Sequence, residues 1–589
     1  MLKKLRTPFV ALLLALSATA CKDVETEPRY LIEDDFMWDE ADRNATLAGW
    51  YLNDIYNYLP GGFNRIAAGF NSGSGTSDGD VLEAGAGDAV PSRLARPVEW
   101  YTNGTISVVN NPDTYWASSY AGIRRVNIFL ANIDRVPATA ATLVFWKAEA
   151  RFIRAMLYFE LVKRYGGVPL IADKVFTLED NLALPRNNYA ECVEYIVSEC
   201  DAIKGQLRTE SAISDADWGR IPRGAAIALK SRILLYAASP LFNGGGASGA
   251  GALQGYPSYD ASRWQRALDA SQELINLNYY ALLTSTSAAP AAFNNVFTTK
   301  KSTEIILAKQ SANSSMLEAL NAPIGYTAPT ASLGLTSPSQ SFVDAFPTLT
   351  GLDINAAGSG YNAQNPYANR DPRLLASVFT NGVTTGTTTV GSRWLSRNVE
   401  TFEGGRDRPG GNAVQTRTGY YLRKFLPDLS AASAYTNVSH NFPIFRYAET
   451  RLNAAEALNE LGRTEEAVTH IIALRQRAGI TAGTPARYGI AVGITQAAAR
   501  DLIRNERRIE LGFEEHRFWD VRRWKIAENV LSGPITGVRI VRGGTAPNYT
   551  YTYTYPQVTT MVFQPKLYYM PLPYDEVTKN TNLSQNPGW

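Results

Sequence analysis

The chain has 589 residues, 45% of them hydrophobic, which is ample for a large core. Its 57 basic and 55 acidic residues nearly cancel, which argues against capture of nucleic acid by concentrated positive charge. With three cysteines in the whole chain, no disulfide framework is available and stability must come from core burial.

The first segment reads MLKKLRTPFVALLLALSATAC. Lys3, Lys4 and Arg6 precede an apolar run from Phe9 to Leu16, then the small residues Ala18, Thr19 and Ala20. That order is a secretory signal over 1–20. Cys21, placed directly after it, makes a bacterial lipobox in which the thiol is lipidated and becomes the first mature residue. The apolar run is too short to span a bilayer, which takes ~20 residues. Removing the three basic signal residues leaves the mature chain with one more acid than base. A polar leader, KDVETEPR, then forms a tether within 21–30.

Helical signals dominate the remainder. From Phe145, apolar residues recur at Ala148, Phe152, Met156 and Phe159, a single helical stripe, with Glu149, Arg151, Glu160 and Lys163 off it. Gly166, Gly167 and Pro169 end that helix. Cys192 and Cys200 share the next helix, with Cα atoms ~12 Å apart at its rise per residue. A disulfide needs less than ~7 Å, so both are expected as reduced core residues. A further helix over GAAIALKSRILLYAASPLF stops near Pro240, and another begins at Trp264. In FRYAETRLNAAEALNELGRTEEAVTHIIALRQRAGI, Leu461-Gly462-Arg463 separates two amphipathic halves. These pairs resemble tetratricopeptide units without a regular 34-residue spacing, so interrupted repeats are expected. Long Gly-rich polar stretches lie between them, at 60–115, 243–260, 284–300 and 347–420. Loops of that length are commonly functional.

Enzyme motifs are scarce. His440, His470 and His516 stand apart, and no metal-ligand spacing, phosphate loop or nucleophile elbow occurs. Gly244 to Gly249 spells a dinucleotide-like pattern but follows a helix rather than a strand. Asp78-Gly79-Asp80 lacks the rest of a calcium loop and reads as a flexible loop. Glu510 and Glu514 could meet the ~5–10 Å separation of a glycosidase pair. They sit among Arg504, Arg507, Arg508, Arg517, Arg522 and Arg523, however. Pairing with arginine depresses a glutamate pKa, whereas a general acid needs it raised. A structural ion-pair network anchored by Phe513, Phe518, Trp519 and Trp524 is the expected outcome.

The stretch RNERRIEL from Arg504, followed by Arg517-Phe518-Trp519-Asp520 and Arg523-Trp524, resembles the C-terminal signature of the SusD/RagB family of outer-membrane nutrient-binding lipoproteins. WKAEARFIRAMLYFELVKRYGGVPLI, ALKSRILLYAASPLF, PSQSFVDAF, RDPRL, TGYYLRKF, FPIFRYAETRLNAAEALNE and the terminal QNPGW agree in order. The resemblance implies a mainly α body on about four tetratricopeptide-like helix pairs, with long loops and minor β structure packed on it. It divides the chain into an N-terminal part over 31–240 and a C-terminal part over 241–589 of one compact body. It also implies a partner, a SusC-like TonB-dependent transporter over which the lipoprotein acts as a lid. Lys22-Asp23 resembles the charged signal for the outer face of the outer membrane. No cofactor, metal or catalytic group is expected.

The expected ligand is an oligosaccharide or polysaccharide. Aromatic clustering in the loops selects Trp100, Tyr101, Tyr361 and Trp394 to stack on sugar rings. Asp78, Arg93 and Asn103 would fix hydroxyls, while Trp116 heads a helix and reads as core. Peptide capture, as in the RagB branch, a lipid-anchored glycoside hydrolase and a purely structural adaptor are the rival readings.

Overall fold

The computed structural model describes residues 34–66, 78–326, 330–385, 388–409, 415–546 and 548–589. The signal, Cys21, Lys22, Asp23 and the tether lie outside the described residues. Among the described residues no helix is long and apolar enough to cross a membrane.

The scaffold is a row of helices: α1 (Thr46–Ile55), α2 (Trp116–Asn132), α3 (Ala140–Tyr165), α4 (Tyr189–Ile203), α5 (Arg223–Ala238), α6 (Ser262–Ile275), α7 (Tyr447–Glu460), α8 (Thr464–Ala478) and α9 (Gln496–Glu510). Each packs on its neighbour from α1 to α8, and α9 packs on α7 and α8. The pairs are therefore α2–α3, α4–α5, α6–α7 and α8–α9. The third is assembled across the chain, because residues 276–446 pass between α6 and α7. The interrupted repeat is thus a solenoid with a large excursion inserted inside one helix pair.

Local chemistry explains the boundaries. Thr139 caps α3 by accepting a bond from the Thr142 amide at 3.2 Å. Gly166 ends it at φ 77°, in the half of conformational space that side chains avoid. The stripe residues Ala148, Phe152, Met156 and Phe159 are buried as expected. Glu149 and Glu160 are buried too, contrary to an exposed charged face, because α3 has neighbours on several sides. Their charges are met by Arg220 for Glu149 and by Lys163 and Arg164 for Glu160. Gly462 turns the chain between α7 and α8 at φ 78°. Cys192 and Cys200 are free and buried, and Trp116 is core.

The excursion, the C-terminal region and one short strand near the N-terminus carry the β structure. Two short strands, β1 (Ala89–Pro91) and β2 (Thr336–Pro338), pair antiparallel with Val90 opposite Ser337. A longer hairpin joins β3 (Arg539–Thr545) to β4 (Asn548–Thr554), and β5 (Gln557–Met561) follows. The alternating NYTYTYT of β4 is a period-two strand pattern that a helical reading passes over. Residues 284–300 are not all loop: Ala291–Thr298 is helical, with Phe293 and Phe297 buried four residues apart.

Candidate functional site

Glu510 and Glu514 of the arginine-rich C-terminal segment sit in a buried ion-pair network, but their cations come from elsewhere in the chain; Arg507, Arg508 and Arg523 of the segment pair instead with Asp520, Asp88 and Glu456. Glu510 accepts from Arg373 at 2.8 Å, from Arg446 at 2.7 Å and from Arg477. Glu506 faces Arg373 and Arg475, Glu514 faces Arg446 and Lys424, Glu304 faces Arg446 and Arg477, and Asp371 faces Arg373. Five cations meet five carboxylates in one connected cluster. Burial alone would raise the Glu510 carboxyl, yet Arg477, Arg446 and Arg373 hold it well below the ordinary range. Glu514 is likewise lowered, by Arg446 and Lys424 against burial. Neither carboxyl has the raised pKa that a general acid needs, and the segment ties α9 to the excursion. Phe513, Phe518, Trp519 and Trp524 are buried around it.

The site candidate lies elsewhere, in a cleft of about 1070 Å³. Five segments line it: 92–94, 401–409, 415–417, 537–540 and 556–558. Its polar lining includes Arg93, Arg408, Arg417, Arg539, Glu403 and Gln415. The loop after β1 is pinned by Ser92, whose amide donates to Leu335 O at 2.7 Å and whose hydroxyl donates to Gly334 O at 2.5 Å. Arg417 straps that loop to the body, donating to Pro91 O at 3.1 Å and Glu99 at 2.6 Å. The opposite wall is fastened by the Val538 amide to Thr418 O at 2.7 Å and the Glu403 amide to Ile540 O at 2.8 Å. Gly537 is required there, since a Cβ would come within 2.5 Å of the Thr418 Cα.

Arg93 lines this cleft, and its Nη1 donates to Asp78 at 2.5 Å. Arg96, three residues on, donates to Asp80 at 2.7 Å and to the Asp78 carbonyl at 2.7 Å. Both aspartates of Asp78-Gly79-Asp80 are therefore engaged by arginine. Trp100 and Asn103 lie on the short helix that follows Glu99, the partner of Arg417. Trp100 is half-buried. Asn103 is exposed, and its Oδ1 accepts from the Thr105 amide at 3.0 Å. Tyr361 has its ring beside Arg370 and its hydroxyl beside that of Tyr555, next to Pro556 of the cleft wall.

Two expected stacking residues point inward. Tyr101 is 1% exposed, packs its ring edge-on against Phe518 at 4.9 Å and donates its hydroxyl to Asn111. Trp394 is 0% exposed, set against Phe379 at 5.1 Å and Tyr435 at 6.0 Å. Neither offers a ring face to a ligand in this arrangement; Tyr101 anchors the short helix Trp100–Asn103 in the core, and Trp394 anchors a two-residue strand, Arg393–Trp394, that pairs with Arg397–Asn398. Sequence reasoning passed over Arg408, Arg417, Arg539 and Glu403. The available signal was the arginine density of the Gly-rich stretch before Tyr420.

A model of the SusD family matches residues 303–589, and a model described as starch-binding associating with outer membrane matches residues 88–235. The chain belongs to the SusD/RagB family. It is similar to a SusD-like protein of Formosa agariphila, 25% identical over all of both chains. It is also similar to a crystallised SusD-like protein of Bacteroides fragilis, 27% identical, with a TM-score of 0.73 over 95% of this chain and 98% of that one. A laminarin-binding SusD-like protein superposes with a TM-score of 0.60 over 92% of this chain and 99% of that one, at 21% identity, which shows the shared fold alone. The fold is that of SusD-like proteins, mainly helical with minor β structure.

Proposed function

We propose that this SusD-family chain is a non-catalytic glycan-binding lipoprotein of the outer membrane. It captures oligosaccharide at the cell surface and closes as a lid over a SusC-like TonB-dependent transporter. The observation that carries the reading is the large cleft built by loops from five separate segments on a rigid helical row. Loops placed by a stiff scaffold are where binding residues concentrate. Among the described lining residues the only carboxylate is Glu403, and it is engaged by Arg539. A hydrolase of the usual kind needs two carboxylates.

A laminarin-binding relative and a starch-binding family model support a sugar rather than a peptide as cargo. Of the residues expected to meet the sugar, Arg93 lines the cleft with Asp78 holding it from behind, whereas Trp100, Asn103 and Tyr361 lie outside the lining. Lipidation at Cys21 would keep the binder beside its transporter, so capture becomes effectively intramolecular. Ligand contacts with both lid and barrel would favour the closed state.

The test is to incubate the purified mature protein with a panel of oligosaccharides and peptides. Saturable sugar binding without new reducing ends is the expected result. Turnover would refute the non-catalytic reading, and binding of peptides alone would refute the sugar assignment.

A further inference from the structure

We propose that the cleft selects an anionic glycan, one bearing carboxylate or sulfate groups, over a neutral glycan of the same length. This rests on the glycan-binding reading and names the ligand's chemistry within it.

Four guanidiniums line the cleft, Arg93, Arg408, Arg417 and Arg539, against the single carboxylate of Glu403. They arrive on four separate segments, so their convergence is a property of the tertiary fold. Two are held from behind. Arg93 reaches Asp78 through Nη1, and Arg417 reaches Pro91 O and Glu99 through Nη1. Asp78 and Glu99 do not line the cleft. Each of these arginines thus spends one nitrogen on an anchor. Its Nε and Nη2 have no partner among the described residues. A guanidinium carries five N–H donors in a rigid fork that matches the two oxygens of a carboxylate or sulfate. Anchoring one arm removes the entropy cost of ordering the fork when ligand arrives.

Arg408 is exposed, and the one contact it makes among the described residues is a long 3.4 Å bond to the Gly405 carbonyl. No described carboxylate neutralises it. Arg539 is engaged by Glu403 on an exposed edge of the cleft.

A second observation points to a ligand. Gln415 and Thr401 also line the cleft and are 7% and 1% exposed. Gln415 Oε1 and Thr401 Oγ1 are buried and have no hydrogen-bond partner among the described residues. Buried polar atoms are normally paired, so a small shift of the lining that uncovers these two would let a ligand satisfy them. The Gln415 oxygen accepts only, which suits a sugar hydroxyl. The Thr401 hydroxyl can donate as well. The site therefore combines positions for hydroxyls with four guanidiniums against the three carboxylates that pair with them, Asp78, Glu99 and Glu403, so that the charge of Arg408 and the open donors of Arg93 and Arg417 are left unused by a neutral glycan and filled by an acidic one.

The experiment is calorimetric titration of the mature protein with three oligosaccharides of matched length: a uronic-acid oligomer, a sulfated oligomer and a neutral glucan. The first two distinguish carboxylate from sulfate as the source of charge. At least one acidic oligomer is expected to bind about tenfold or more tightly than the neutral one, since bonds to charged groups are the stronger class. Its affinity is expected to fall as sodium chloride rises. Arg408→Gln and Arg539→Gln alter exposed side chains, so both are expected to keep the thermal midpoint. Together they are expected to weaken the acidic oligomer several-fold more than the neutral one; an equal loss for both would overturn the charge selection. Neutral binding that equals or exceeds acidic binding overturns the charge selection while leaving glycan binding intact. Failure of all three sugars to bind overturns both.

Discussion

Glu510→Gln separates a structural glutamate from a catalytic one. Glutamine keeps an acceptor oxygen and the side-chain shape but deletes the charge that balances the cluster. Five cations would then face four carboxylates inside the core. Breaking a buried pair from one side costs about 3–5 kcal/mol. Here each arginine keeps another partner: Arg373 keeps Asp371 and Glu506, Arg446 keeps Glu304 and Glu514, and Arg477 keeps Glu304. The lower end of the range, about 3 kcal/mol, is therefore expected. With a urea slope of about 3 kcal/mol/M or more, the midpoint falls by up to about 1 M. The assay is urea unfolding followed by tryptophan fluorescence, with glycan titration of the folded variant. Unchanged sugar affinity is expected, because Glu510 is not part of the cleft lining. A midpoint that does not move at constant slope would refute the balanced-cluster argument. Loss of binding in a variant of normal stability would refute the structural role.

Trp394→Ala should destabilise by about 3–5 kcal/mol as a core truncation, whereas Arg93→Ala, at the cleft, should lower sugar affinity with little change in melting temperature. Denaturation and calorimetry on the same pair check this, and the opposite pattern would exchange their roles. Glu83 gives a pH signature. Burial and the neighbouring Glu515 push its carboxyl from 4.5 up to about 8. Between those values the folded state keeps a proton that the unfolded state releases, so this group's contribution to stability falls as pH rises. Glu83→Gln keeps the neutral form, so its stability relative to wild type should grow by up to about 1.4 kcal/mol per pH unit across that window. Urea midpoints at about pH 5.5 and about pH 8 test it; equal differences at both would contradict a raised pKa. Cys21→Ala should leave glycan affinity intact while weakening surface retention and uptake, measured by cell fractionation and growth on the glycan. Normal uptake by that soluble variant would contradict the tethered lid.

Much of the scaffold was legible along the chain. The stripe through Phe152, Met156 and Phe159, the stop at Gly166 and the break at Gly462 are short-range signals, and the observed helices obey them. The arginine density after Arg504 pointed to ion pairing, but not to the partners: Arg507, Arg508 and Arg523 meet Asp520, Asp88 and Glu456, while Glu510 and Glu514 are met by Arg373, Arg446, Arg477 and Lys424 from distant segments. The candidate site was legible only in part. Arg93 does line the cleft, and Asp78 does hold it, but Tyr101 and Trp394 face inward. Tyr101 sits in a four-residue helix and Trp394 in a two-residue strand, elements too short to show a periodicity, so nothing nearby in sequence says which way either ring points.

The sequence by itself determined the helical class, the family signature and the reduced state of Cys192 and Cys200, because each depends on neighbours within a few turns or on composition. The surroundings of Glu510 needed the tertiary structure, since its partners Arg373, Arg446 and Arg477 lie 33 to 137 residues away. Only the tertiary structure decided that α6 pairs with α7 across 276–446. It alone brought Arg93, Arg408, Arg417 and Arg539 to one cleft from segments lying between Ser92 and Val558. Those approaches are set by how the excursion packs on the helical row, and that packing sums many weak contacts between residues distant in the chain.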